Sequence, residues 1–262
     1  MSSSAARKSV SGVGLFNLVP SGVRVIVTRH SPSLENQMSQ TFSLGDSLAL
    51  GDLTVFLGRA GRVEDGSVRL IAGSGVLAVY VAVIYPSGLL DESPTVLGLR
   101  TFALADDGSF DVVVPVASLL ERLNRLQSST VDVTAPVTVG LPMQVNTVTW
   151  AAISPPRGGW RQLGEVDSGR LETVARAGID EVATAIPAGT GEQIVHRVRS
   201  EVWGRPIDGL EYVPAGAAFA AASLGFLGEP EPVRVFETGP WTRLTSRRGH
   251  VLVKRKAWSL QR

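Results

Sequence analysis

Val76-Leu-Ala-Val-Tyr-Val-Ala-Val-Ile-Tyr85 is the longest apolar run in the chain, and its reading decides the class of fold. Its ten residues are half of the roughly 20 that a membrane-spanning helix needs. β-Branched and aromatic side chains dominate it, and these pack well on a pleated surface, so it reads as a strand with both faces buried. Working outward, Val68 to Ala72, Val96 to Leu104 and Phe110 to Val114 also read as strands. Glu64-Asp-Gly66, Gly73-Ser-Gly75 and Asp106-Asp-Gly108 separate them as turns, because glycine accepts the positive φ that tight hairpins require.

Helices flank this block. Apolar positions 49, 53, 56, 57 and 60 fit a helical stripe, and Leu119, Leu120, Leu123 and Leu126 mark an amphipathic helix from about Val116 to Gln127. Val10 to Val19 and Val23 to Thr28 read as a hairpin around Pro20-Ser-Gly22, and Val131 to Val139 and Val145 to Trp150 read as two further strands. Residues 1–9 are expected to form a flexible leader. Pro155-Pro-Arg-Gly-Gly159 suits neither a helix nor a central strand and is the strongest local boundary.

Beyond that boundary the pattern turns helical. Residues 167–186 carry a helical stripe, Thr190-Gly-Glu-Gln193 matches a capping box opening a helix to about Trp203, and Ala215 to Leu227 is apolar nearly all round, as in an interior helix. Val233 to Phe236, Trp241 to Leu244 and His250 to Val253 return to strand alternation, the last two joined by Ser246-Arg-Arg-Gly249. The expected fold is therefore α+β, a mainly antiparallel sheet with covering helices, followed by a helical segment and a C-terminal β-hairpin. Residues 10–154 form the strand-rich part and 155–262 the remainder, separate or packed as one unit with the first.

Composition excludes several functions. No cysteine is present among the 262 residues, so a disulfide framework, a thiolate metal site and a cysteine nucleophile are ruled out. His30, His196 and His250 lack metal-site spacing, and neither metal nor cofactor is expected. No P-loop spacing occurs. Gly73-Ser-Gly75-Val-Leu-Ala78 matches dinucleotide spacing, but a strand follows where the pyrophosphate needs a helix N-terminus. Gly45-Asp-Ser47 approaches a nucleophile elbow, yet Asp46-Ser47 serves equally well as a helix N-cap.

Charge is uneven. The net charge of +1 divides into −2 for residues 1–150, −4 for 151–238 and +7 for 239–262. All five Trp lie at 150 or later, and three pair with arginine: Trp160-Arg161, Trp203-Gly-Arg205 and Trp241-Thr-Arg243. Guanidinium stacks on indole while its outer N–H groups hold an anion, so these six residues, with Arg247, Arg248 and His250 of the terminal hairpin, are the candidate ligand- or partner-binding set. Trp160, Trp203 and Trp241 are expected to be buried together at the junction of the halves. His196, Arg199 and Trp203 share one helical face.

From Thr95-Val-Leu-Gly-Leu99 through Pro155-Pro-Arg-Gly-Gly-Trp160, Glu201-Val-Trp-Gly-Arg-Pro206 and Gly239-Pro-Trp-Thr-Arg243, the sequence resembles hypothetical proteins of high-GC actinobacteria with no established activity. That resemblance implies a cytoplasmic accessory protein and brings no catalytic residues. The leading expectation is a non-enzymatic binding or scaffolding protein, self-associating or meeting an acidic partner or anionic ligand, with no membrane association. Two alternatives stay open: a hydrolase-like enzyme with an Arg-lined pocket using Asp46, Ser47 or His250, and a nucleic-acid-binding accessory protein using Arg247, Arg248, Lys254 and Arg255.

Overall fold

The computed structural model describes residues 40–255 apart from 65, 87, 89, 90, 92, 146, 147, 188 and 229. The chain divides into Met1–Met38 and Ser39–Arg262, and every described residue belongs to the second unit. The expected leader, the Val10 to Thr28 hairpin, His30 and Trp258 lie outside the described residues.

In chain order the elements are β1 (Thr41–Leu44), α1 (Ser47–Val63), β2 (Ser67–Gly73), β3 (Val76–Ile84), β4 (Thr95–Ala103), β5 (Phe110–Pro115), α2 (Val116–Ser129) and β6 (Val137–Gly140). A 3₁₀ turn at Thr149–Ala152 leads to β7 (Arg161–Asp167), α3 (Ser168–Ala185), α4 (Glu192–Gly204), β8 (Pro206–Ile207), β9 (Leu210–Pro214), α5 (Ala215–Ser223), β10 (Pro232–Thr238), β11 (Trp241–Thr245) and β12 (His250–Lys254). The class is α+β, as the alternation and helical stripes require.

One eight-stranded antiparallel sheet, ordered β5-β2-β3-β4-β12-β11-β10-β7, joins strands from both sides of Pro155. Its seam is the β4–β12 pair, in register from His250 opposite Leu99 to Lys254 opposite Thr95. The sheet reads alike outward from the seam. Each side has a three-strand meander and then an edge strand that runs straight into a helix, β5 into α2 and β7 into α3.

One face of the sheet carries Val68, Leu70, Val79, Val96, Val233, Leu244, Val251 and Val253, all buried against the helical layer. Each fully buried Val, Leu or Phe contributes roughly 1.5–3 kcal/mol of transfer free energy. α5 lies beneath the seam with Gly216, Ala217, Ala218, Ala220 and Ala221 buried. Gly98 on β4 admits its closing residue: a Cβ there would lie 2.2 Å from a Leu224 methyl. Small residues thus let a helix lie close to the strands that unite the halves.

Several local expectations change. Thr41–Leu44, too short to stand out by alternation, pairs with β6 and buries Phe42 and Leu44 completely. Of the 131–139 segment only the residues from Val137 onward are strand, in β6. Asp132 accepts from Thr134 N at 2.9 Å and from Thr134 Oγ1, a local turn that competes with extended pairing. Of the expected Val145 to Trp150 strand, Thr149 and Trp150 instead open the 3₁₀ turn, with Trp150 buried against the outer sheet face. Thr190 does not cap α4, whose N-cap is Gly191, because its hydroxyl bonds back to Pro187 O at 2.7 Å. The segment after Pro155 also contains more strand than its helical stripes suggest, β7 to β9 being the additions.

Candidate functional site

The face of the sheet opposite the helices carries a small aromatic core of Ala82, Leu97, Trp150, Trp241 and Leu252, with Trp160 and Tyr80 packed at its margin. Period-two alternation places Trp241, Arg243 and Thr245 of β11 on this face with His250, Leu252 and Lys254 of β12. Two cross-strand rows build the site. Glu165, Arg234, Thr245, His250 and Leu99 stand opposite one another in sequence across five strands, and Gln162, Phe236, Arg243, Leu252 and Leu97 form the neighbouring row.

Arg243 is the centre. Its guanidinium carbon lies 4.5 Å from the centroid of Trp160 and 4.6 Å from that of Phe236, between the two rings. Its Nε is buried without a hydrogen-bond partner. Arg234, exposed in the adjoining row, approaches the Phe236 ring at 6.0 Å. Neither arginine makes an ion pair among the described residues. Burial and then the nearby charge of Arg234 lower the pKa of Arg243. His250 hydrogen-bonds Thr245 Oγ1 through Nδ1 at 3.0 Å, and its pKa is pushed down to about 4 by burial, then by Arg243 and Arg234. At neutral pH it is an uncharged imidazole beside two cations.

The linker between the halves roofs part of this face. Arg69 of β2 holds Asp111 through two hydrogen bonds, at 2.8 and 2.6 Å, and also donates to Ala151 O and Ser154 Oγ. The Asp111 carboxyl consequently lies below the usual carboxylate range. Trp160 Nε1 donates to Pro156 O at 3.1 Å, so the Pro155-to-Gly159 loop positions the indole that stacks on Arg243.

The structure brings together Trp160, Trp241, Arg243 and His250 of the sequence-derived set and separates the others. Trp203 lies in the helical layer, stacked on Phe219 at 4.4 Å, so the three Trp do not form one cluster. Arg205 pairs with Glu181 and Glu201. Arg161 is bonded to Glu237. At the hairpin tip, Arg247 pairs with Glu231 at 3.0 Å, while Arg248 lies against Gly228. Arg234 and Phe236 are the members that sequence reasoning missed. Alternation within Val233-Arg-Val-Phe236 put them on one face, but only the register with β11 places that face on Arg243.

The catalytic candidates have other employment. Asp46 accepts from Ala49 N at 2.7 Å as the α1 N-cap, and the Ser47 hydroxyl donates to Val133 O at 3.0 Å. His196 Nε2 reaches Asp91 Oδ2 at 3.2 Å, but no hydroxyl bonds its ring among the described residues, and nearby Ser93 and Ser200 bond each other. Gly73-Ser-Gly75 is the β2–β3 turn, with positive φ at Ser74 and Gly75. Among the described residues no group of His, Asp and Glu is placed to hold a metal, and no helix is long and apolar enough to cross a membrane.

Two family models match the chain, each described as a domain of unknown function: DUF8010 over residues 38–142 and DUF8185 over residues 155–258. Among curated proteins none matches. Similar solved structures include the DNA polymerase III subunit beta of Pseudomonas aeruginosa, 12% identical with a TM-score of 0.45, covering 84% of this chain and 65% of that one. The Caulobacter crescentus subunit is 13% identical with a TM-score of 0.46, covering 84% of this chain and 67% of that one. The Borrelia burgdorferi subunit, in complex with a natural product, is 5% identical with a TM-score of 0.48, covering 85% and 66%. The chain therefore spans about two thirds of the length of these subunits.

Proposed function

We propose that the protein is a non-enzymatic, cytoplasmic binding protein that meets the carboxylates of an acidic protein partner on the outer face of β10 to β12. The observation that carries this reading is the Arg243 guanidinium, held between Trp160 and Phe236 with a buried, unsatisfied Nε beside Arg234 and no ion pair. Taking a cation partly out of water without a counter-charge costs free energy that an incoming carboxylate recovers. Stacking leaves the outer N–H fork in the plane that suits a bidentate carboxylate. His250 stands beside the two guanidinium groups as a neutral imidazole whose pKa an arriving negative charge would raise, and Lys254 extends the basic face from the same strand. The strands of the terminal hairpin, and not its Arg247-Arg248 tip, carry the binding, since Glu231 already engages the tip.

Self-association belongs to the same proposal. β7 is the edge of the large sheet, and six of its seven residues are exposed, Leu163 among them. An uncovered edge is a template for a second strand.

The test is a titration of the full chain with an acetylated hexaglutamate peptide and with short duplex DNA, followed by tryptophan fluorescence. The peptide is expected to bind, more weakly as salt rises, and replacing Arg234→Gln with Arg243→Met should weaken it at least tenfold. Arg247→Gln with Arg248→Gln should leave it unchanged. Tight binding of DNA with none of the peptide, or dependence on the tip pair alone, would overturn the proposal.

A further inference from the structure

On the helical side of the molecule, away from the sheet face just described, a cleft of about 690 Å³ opens between α1, α3, α4 and α5. That volume falls in the range of small-molecule sites, about 300–1,000 Å³. Its wall is apolar: Ile179 and Val182 from α3 face Trp203 of α4 and Phe219 of α5. Ile179 is 45% exposed although it lines a concave surface. The Trp203 ring is seated against a glycine. A Cβ on Gly178 would lie 2.3 Å from it, so α3 approaches the indole closely, while Gly216 on α5 leaves space for an Ile84 methyl and the Trp203 backbone.

Three arginines border this apolar volume, Arg59 and Arg62 one turn apart on α1 and Arg199 on α4, and no carboxylate lines it among the described residues. Arg59 is fixed in place: its Nη1 donates to Leu224 O at 3.4 Å, and Gly225, at φ +74°, leaves the space that its guanidinium occupies. The side chains of Arg62 and Arg199 have neither a hydrogen bond nor an ion pair among the described residues. Arg199 and Trp203 share the helix face legible in the sequence, and His196 of that face turns instead to Asp91.

We propose that this cleft binds a long-chain carboxylate, its head group on Arg62 and Arg199 and its alkyl chain along Ile179, Val182 and Phe219. A compact polyanion would gain nothing from the apolar wall, and a neutral hydrophobe would leave the guanidinium groups unanswered. An amphiphile with one anionic end satisfies both, because a guanidinium fork matches a carboxylate and the chain removes apolar surface from water.

Isothermal titration calorimetry on the full chain distinguishes the possibilities, using decanoate, decanol and decyltrimethylammonium below their aggregation concentrations. Decanoate should bind saturably at one per chain, with decanol at least tenfold weaker and the cation silent. Arg62→Gln with Arg199→Gln should cost decanoate at least tenfold while leaving the unliganded melting temperature unchanged. Val182→Trp, which fills the cleft, should abolish binding while the far-ultraviolet circular dichroism is preserved. Arg234→Gln with Arg243→Met, on the opposite sheet face, should leave decanoate affinity intact, which separates this site from the acidic-partner surface. Equal binding of decanol and decanoate, full affinity in the double arginine variant, or no binding by the full chain would each overturn the proposal.

Discussion

Replacing His250 by glutamine should flatten the acid limb of the protein's stability. The imidazole has a pKa of about 4 in the folded chain against 6.5 for an unperturbed histidine, with burial the largest cause and Arg243 and Arg234 the next. The unfolded chain therefore takes up a proton below pH 6.5 while the folded chain does not, and acid favours unfolding across that window. Each pH unit is worth about 1.4 kcal/mol, so the 6.5-to-4 interval amounts to about 3 kcal/mol, and below it the loss is complete. Asp111 and other carboxylates also titrate at the acid end, so the informative quantity is the difference between wild type and His250→Gln. Glutamine keeps a polar group opposite Thr245 and carries no titration of its own. Urea unfolding at a series of pH values should show wild type losing about 3 kcal/mol relative to the variant between pH 6.5 and 4, with a constant difference above that range. A difference that does not vary with pH would refute the burial and charge environment assigned to His250.

Three further outcomes follow from the geometry. Gly178→Ala should destabilise by about 1–3 kcal/mol through overpacking, because its Cβ would meet the Trp203 ring at 2.3 Å, and a shift in tryptophan emission should accompany the lower unfolding midpoint. Arg243→Met should leave stability equal or higher in urea unfolding, since a half-buried cation with an unsatisfied Nε is replaced by an apolar chain of similar length, while hexaglutamate binding is weakened. Asp46→Ala should cost about 1 kcal/mol in the same assay by removing the cap on α1.

The elements of the sheet were legible where alternation or continuous hydrophobicity runs long, as in β3, β4 and β12, because side-chain period is a local property. Their partners were not. Nothing in Thr95-Val-Leu-Gly-Leu99 names His250-Val-Leu-Val-Lys254 as its neighbour, and that pairing unites the two halves in one sheet. The edge strand β7 hid because its exposed pattern, Arg161-Gln-Leu-Gly-Glu-Val-Asp167, lacks an apolar period and is held by β10. For the site, the Trp-Arg pairings directed attention to the right chemistry, yet guanidinium and indole meet across strands and not along the chain. Arg243 stacks on Trp160, 83 positions away in sequence, and not on Trp241 two residues before it. Arg205 and Arg161, equally prominent in the sequence, are absorbed by Glu181, Glu201 and Glu237.

The central claim, that an acidic partner's carboxylates dock beside Arg243, Arg234 and His250, is tested most directly at the imidazole itself. Proton NMR of the full chain, with the His250 ring assigned by comparison with His250→Gln, gives its pKa in the presence and absence of hexaglutamate. Incoming negative charge offsets the two guanidinium groups, so the pKa should rise from about 4 by at least about one pH unit when the peptide is bound. Saturating peptide that leaves the His250 titration unmoved would contradict the account.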